Sequence, residues 1–158
     1  MLGTAGEIMT TQVISIGPDE SIENAVKLLA EYNISGLPVV DESRKVIGII
    51  SSSDIVKFSG SLHIISLIGS SGWVSPYTDV SARATYSKGH QLLASKKVRD
   101  IMTKKVISVQ ETASAEEVAH ILTKKRINRL PVTDANGTLV GIITRSDLIA
   151  ALTRENVS

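Results

Sequence analysis

A hydroxyl followed three residues later by a carboxylate, placed where an apolar strand turns into a helix, can hold a polar ligand. The chain carries this arrangement twice, as Gly141-Ile142-Ile143-Thr144-Arg145-Ser146-Asp147-Leu148 and, ninety-three positions earlier, as Gly48-Ile49-Ile50-Ser51-Ser52-Ser53-Asp54-Ile55. A strand running straight into a helix leaves N–H groups unbonded at the helix start, and such a start favours an anion. Thr144 and Ser51 bring a hydroxyl to it, and Asp147 and Asp54 an acceptor for a ligand's O–H groups. The same Ser/Thr-x-x-Asp spacing is also a helix capping box, whose two side chains serve only backbone N–H groups. For a single copy, capping is the stronger reading. Recurrence shifts the balance toward binding.

Other chemistries find little support. His63, His90 and His120 lack metal-ligand spacing, and there is no cysteine for a thiolate site or a disulfide. No nucleophile–base–acid set stands out, and no glycine-rich phosphate loop precedes a helix. Met9 and Met102 read as packing residues. The 158 residues carry a net charge of +1, with 42 % hydrophobic and 21 % charged residues. That is an ordinary globular composition, without the basic footprint of a nucleic-acid binder. The start of the chain lacks a signal-peptide pattern. Its longest apolar runs, such as Ile64-Ile65-Ser66-Leu67-Ile68, are too short to span a bilayer. A cytoplasmic protein, or a piece of a larger one, is expected.

The elements that position these residues also come in duplicate. Residues 7–58 align with 100–151 without a gap: Ile8-Met9-Thr10 with Ile101-Met102-Thr103, Val13-Ile14-Ser15 with Val106-Ile107-Ser108, Leu37-Pro38-Val39 with Leu130-Pro131-Val132, and Asp41 with Asp134. In each copy a short strand (Val13–Ile16 in the first, closed by Gly17-Pro18) leads to a helix capped by Ser21 or Ser114. Ser114 to Glu117 reads as a full capping box. Asn33 and Gly36 close the first helix. Two strands follow, Leu37–Val40 and Val46–Ile50, with Asn136-Gly137 marking the hairpin turn of the second copy. A second helix begins near Ser53 or Ser146. The unit is β-α-β-β-α. One copy alone would bury too little surface, so the expected fold is α+β, with the two repeats packed sheet to sheet about a pseudo-twofold axis and paired sites. Residues 59–99 form an insert that is too long for a structureless loop. There Leu62, Ile65 and Ile68 are expected to extend the helix before them, and residues 82–96 to form another. All five aromatics lie in the first copy or the insert.

Taken together, Ile-Met-Thr, Val-Ile-Ser, Leu-Pro-Val-x-Asp and Gly-Ile-Ile-[Ser/Thr]-x-Ser-Asp, each in two gapless copies, resemble the cystathionine β-synthase (CBS) domain pair, or Bateman module. The resemblance covers 7–58 and 100–151, with the insert outside it. It implies a non-catalytic regulatory module that binds adenine nucleotides or adenosyl compounds such as S-adenosylmethionine in clefts between the motifs, with no required cofactor. It also implies a homodimer that serves a partner domain or protein. By position, Thr144 and Asp147, and Ser51 and Asp54, would contact ribose and phosphate. Ile14, Ser15, Ser35, Gly36, Leu37 and Pro38 in the first copy would hold the base, as would Ile107, Ser108, Asn128, Leu130 and Pro131 in the second. Arg129 stands where the family often places a phosphate-contacting arginine, and Arg145 adds positive charge. The first copy has Gly36 in place of Arg129, so the two sites should differ. Two other functions remain open: a dimerising scaffold of a larger transporter, channel or enzyme that binds no ligand, and, more remotely, an enzyme.

Overall fold

The computed structural model describes residues 2–61 and 91–155. Helix formation follows the local signals. Ser21 caps α2 (Ile22–Glu31) by accepting from Asn24 N–H at 3.1 Å, and Ser114 caps α5 (Ala115–Lys125) by accepting from Glu117 N–H at 3.1 Å. Each helix ends on a residue in the left-handed region, Asn33 (φ 50°) in the first copy and Arg126 (φ 54°) in the second. Shorter helices α1 (Ala5–Ile8) and α4 (Val98–Ile101) open the two copies. Their acidic third residues, Glu7 and Asp100, accept from the N–H of Thr4 (2.7 Å) and Lys97 (3.0 Å).

The first copy carries a two-stranded sheet, β1 (Gly36–Val40) with β2 (Val46–Ser51), followed by α3 (Ser52–Ser61). The second carries a three-stranded sheet in the order β3 (Val109–Gln110), β4 (Arg129–Thr133), β5 (Leu139–Thr144), followed by α6 (Arg145–Glu155). β3 runs parallel to β4, and β4 antiparallel to β5. The leading strand expected over Val13–Ile16 shrinks to one bridge, Ile16 to Val39. Proline explains the difference. In the second copy Glu111 N–H extends the ladder by donating to Thr133 O at 2.9 Å, whereas its counterpart Pro18 has no N–H to give. The second copy's leading strand forms at Val109–Gln110, later than the expected Val106 start. Of the helix expected over 82–96, residues 91–95 are helical. The remainder, and the extension through Leu62, Ile65 and Ile68, lie outside the described residues.

The chain divides into two compact units that interleave in sequence. One comprises Met1–Ile14, Val40–Ile47 and Lys105–Ser158, the other Ser15–Val39 and Gly48–Lys104. Each repeat thus has its leading segment in the unit built on the other repeat's helices. In the first unit Ala5 N–H donates to Ala113 O (2.7 Å), Gly6 N–H to Glu111 O (2.9 Å) and Ala115 N–H to Gly3 O (3.0 Å). The core there joins Ala5 to Val109, Val118, Leu122, Leu130, Val132 and Ile143. In the other unit Ile22 N–H donates to Lys96 O (2.9 Å) and Val98 N–H to Glu20 O (2.8 Å). Ile16, Ile22, Leu37, Ile50, Ile55 and Val98 are buried there.

That unit has an ionic tie. Arg99 reaches Asp19 Oδ1 through Nη2 at 2.6 Å and Nε at 2.9 Å, with Lys97 Nζ at 3.6 Å. The Arg99 hydrogen bond holds the Asp19 carboxyl below its ordinary 3.8. A depressed carboxyl stabilises the fold above its unfolded pKa, and the contribution is lost as pH falls through the folded value. Asp19→Asn should therefore lower the melting temperature slightly at pH 7 and low salt. The gap to the unmodified protein should close below about pH 4 and in high salt, as read by thermal denaturation across pH and salt.

Both hairpin turns rest on an aspartate. Asp41 Oδ1 accepts from Ser43 and Lys45 N–H, both at 2.9 Å, and Asp134 Oδ1 from Asn136 (2.8 Å) and Thr138 N–H (2.9 Å). Each turn needs a positive φ. Gly137 meets it at 81°, but Arg44 is held at 61°, where a side chain is strained. Arg44→Gly should stabilise the protein by about 0.5–1 kcal/mol. Thermal denaturation should show a rise of roughly 1–4 °C.

Candidate functional site

The repeated hydroxyl–carboxylate pair sits where the two second helices begin. Thr144 ends β5 and Arg145 opens α6. Asp147 Oδ2 accepts from Thr144 N–H at 2.7 Å and from Thr144 Oγ1–H at 2.9 Å. At the β2–α3 junction Asp54 Oδ2 accepts from Ser51 N–H (2.9 Å) and Ser51 Oγ–H (3.0 Å), and Asp54 N–H donates back to Ser51 Oγ at 3.3 Å. The capping box anticipated from spacing is thus complete at Ser51, while at Thr144 the carboxylate half of it is formed. These bonds engage Oδ2 of each carboxylate and leave Oδ1 outside the cap.

That second oxygen has a partner missed in the sequence. Thr10 Oγ1–H donates to Asp147 Oδ1, and Thr103 Oγ1–H to Asp54 Oδ1, each at 3.3 Å. The two threonines occupy equivalent positions, and each is pinned by backbone bonds to the strand that ends at the site. Thr10 N–H donates to Ile142 O (2.9 Å), and Thr10 O accepts from Ile142 N–H (3.0 Å); Ile49 and Thr103 exchange the same pair at 3.0 and 2.8 Å. The signal lies in the gapless Ile-Met-Thr repeat, of which sequence reasoning gives only the methionines a role, as packing residues. The preceding methionines do pack, Met9 over Gly141 and Met102 over Gly48. A Cβ on either glycine would collide with the methionine Sδ, so glycine opens both β-strand runs to admit the threonine segment.

Arg129 joins the second-copy pair through register, lying directly opposite Thr144 in the β4–β5 ladder. Opposed residues of an antiparallel pair project from the same face. Arg129 is half-buried, and desolvation lowers its pKa from the ordinary arginine value. It remains a cation at neutral pH, since arginine titrates far above it.

The other expected site residues are less uniform. Leu37 and Leu130 are completely buried, and Gly36, Pro38 and Pro131 are also buried. These residues can offer a ligand backbone but no exposed side chain. Ile14, Ser15 and Ile107 are half-buried, whereas Ser35, Ser108, Asn128 and Arg145 are exposed. The unit containing Asp147 brings together Ile14, Ile107, Ser108, Asn128 to Pro131, Thr144 and Arg145; the one containing Asp54 holds Ser15, Ser35 to Pro38 and Ser51. Among the described residues no group of His, Asp or Glu could hold a metal ion, and no helix is long and apolar enough to cross a membrane.

The family model of the CBS domain matches residues 5–61 and 98–154. The chain belongs to the CBS domain family. Its CBS pair is 36 % identical over 156 residues to "CBS domain-containing protein CBSX1, chloroplastic" of Arabidopsis thaliana, covering 94 % of this chain but 63 % of that relative's length. Among solved structures it resembles Arabidopsis CBSX2 in complex with AMP, with a TM-score of 0.74 and 29 % identity over 98 % of this chain and 99 % of that one. It also resembles the CBS domain pair of protein MJ0100 in complex with 5-methylthioadenosine and S-adenosyl-L-methionine (TM-score 0.69, 27 % identity, 96 % and 97 % coverage). The fold is that of a CBS pair, two α+β repeats with small sheets.

Proposed function

We propose that the chain is a non-catalytic regulatory module whose two strand–helix junctions bind an adenine nucleotide or adenosyl compound. The observation that carries this reading is the duplicated carboxylate. Each has one oxygen committed to the helix cap and the other, Oδ1, turned toward a single long hydrogen bond among the described residues. An ionised oxygen so placed can accept from ribose hydroxyls, and charge-assisted bonds of this kind are the strong ones. Arg129, across the ladder from Thr144, supplies a partly desolvated cation for a phosphate in the second copy. The similar structures hold AMP, 5-methylthioadenosine and S-adenosyl-L-methionine, which share a ribose bearing adenine.

Isothermal titration with AMP, ATP and S-adenosylmethionine tests the reading. Saturable heat from at least one of them is expected, and heat from none would refute it. The cap bonds accepted by both aspartates favour one competing reading, a scaffold in which the aspartates serve only the helices, and the same titration separates the two. As part of the proposal the module acts in the cytoplasm on a partner domain or protein, needs no cofactor, and forms a homodimer. Val56 of α3 and Ile149 of α6, at equivalent positions, are both exposed, as is Leu152, and such faces favour association. Light scattering at micromolar concentration should give twice the chain mass; a monomer with and without nucleotide would count against the dimer.

A further inference from the structure

We infer that Thr10 and Thr103 set the sugar selectivity of the two sites by competing with the ligand for the Oδ1 oxygen of each aspartate. The inference rests on the nucleotide reading above and adds a residue pair to it. A carboxylate offers roughly four acceptor positions. In Asp147 the Thr144 N–H and hydroxyl occupy two on Oδ2, and the Thr10 hydroxyl a third on Oδ1. In Asp54 the Ser51 N–H, the Ser51 hydroxyl and the Thr103 hydroxyl do the same. One position is left at each site. A ribose presents two neighbouring hydroxyls, so a nucleotide that donates both must take the threonine's place.

The geometry suits displacement. The threonine bonds are 3.3 Å long in both copies, against about 2.5–2.7 Å for a strong O–H donor on a carboxylate. The cap bonds on Oδ2, at 2.7–3.0 Å, are the shorter set and are fixed by the helix start. Thr10 and Thr103 are exposed, so a displaced hydroxyl finds water. Their backbones stay anchored to Ile142 and Ile49, so the side chain can turn away while the segment stays in place. The same contact appears in each repeat although its partners come from opposite ends of the aligned copies. Ser51 in one and Thr144 in the other leave it unchanged.

The consequence is a weakened preference for ribose over deoxyribose, because the second hydroxyl gains an acceptor only by evicting a donor. Titration calorimetry of the full chain with AMP and 2′-deoxy-AMP tests this in the double variant Thr10→Val, Thr103→Val. AMP should bind about two- to tenfold more tightly than to the unmodified protein, the worth of one hydrogen bond. 2′-Deoxy-AMP should change little, so the ratio of the two affinities widens. Thr10→Ser with Thr103→Ser keeps the hydroxyls and should keep the original ratio. If valine disturbs the strand edge, Thr10→Ala with Thr103→Ala removes the same hydroxyls and carries the same expectation. Weaker AMP binding, or equal changes for both nucleotides, would overturn the competition while leaving the nucleotide reading in place. Absence of AMP binding by the unmodified protein would remove both.

Discussion

Asp147→Ala and Asp54→Ala are each expected to abolish most of the nucleotide affinity of one site, by roughly ten- to a hundredfold. An ionised acceptor of ribose hydroxyls contributes about 1.5–3 kcal/mol. Each variant should also lose a helix cap, since Asp147 accepts Thr144 N–H at 2.7 Å and Asp54 accepts Ser51 N–H at 2.9 Å. A lost cap costs about 1 kcal/mol. The two readouts together decide between binding and capping. A fall in both melting temperature and AMP affinity supports a bifunctional carboxylate. A fall in melting temperature with affinity unchanged in both variants would leave capping as the residues' whole role.

Arg129→Ala should separate phosphate contact from base recognition. AMP affinity at the second-copy site should drop by about ten- to a hundredfold, the range for a charged hydrogen bond, while adenosine should be nearly unaffected. The residual AMP binding should respond less to added salt, because a screened charge pair has gone. Opposition to Thr144 in the ladder places the guanidinium on the face where the hydroxyl–carboxylate pair begins. Its partial desolvation makes an anionic ligand more welcome there than at a fully hydrated lysine. Equal losses for AMP and adenosine would mean that Arg129 shapes the pocket without reading phosphate. Gly36 holds the equivalent place in the first copy, so phosphate selectivity should be weaker there. Gly36→Arg gives a companion measurement.

Much of the architecture could be read from residue spacing. Ser21 and Ser114 announced their helices, Asn136-Gly137 the second hairpin turn, and the ninety-three-residue offset paired the helices and hairpin strands of one repeat with their twins. Local signals of this kind act over three or four residues, which is why they survive into the fold. Three features were not legible. The loss of the first leading strand turned on Pro18 standing where Glu111 donates to Thr133. Its missing N–H was visible, but the partner carbonyl was not. The exchange of leading segments between units also left no local trace, because Ala5 and Val98 are apolar in either arrangement. Thr10 and Thr103 escaped notice for the same reason: their contacts to Asp147 and Asp54 span 137 and 49 residues. For the site, the hydroxyl–aspartate pairs were legible and their third partners were not.

The interleaving of the two units has a consequence for birth on the ribosome. Residues 3–10 leave the exit tunnel well before their partners Glu111, Ala113, Ala115 and Ile142, which are made more than a hundred residues later. At about 5–20 residues per second, the opening segment waits several seconds or more with Ala5 and Ile8 uncovered. The unit built on the first repeat must likewise await Lys96 to Thr103 before it closes. Either repeat taken alone would therefore lack the leading segment that its unit uses. A nascent chain stalled before Glu111 should be protease-sensitive throughout residues 3–10, and a gene that lost either repeat would strand the leading segment of the other.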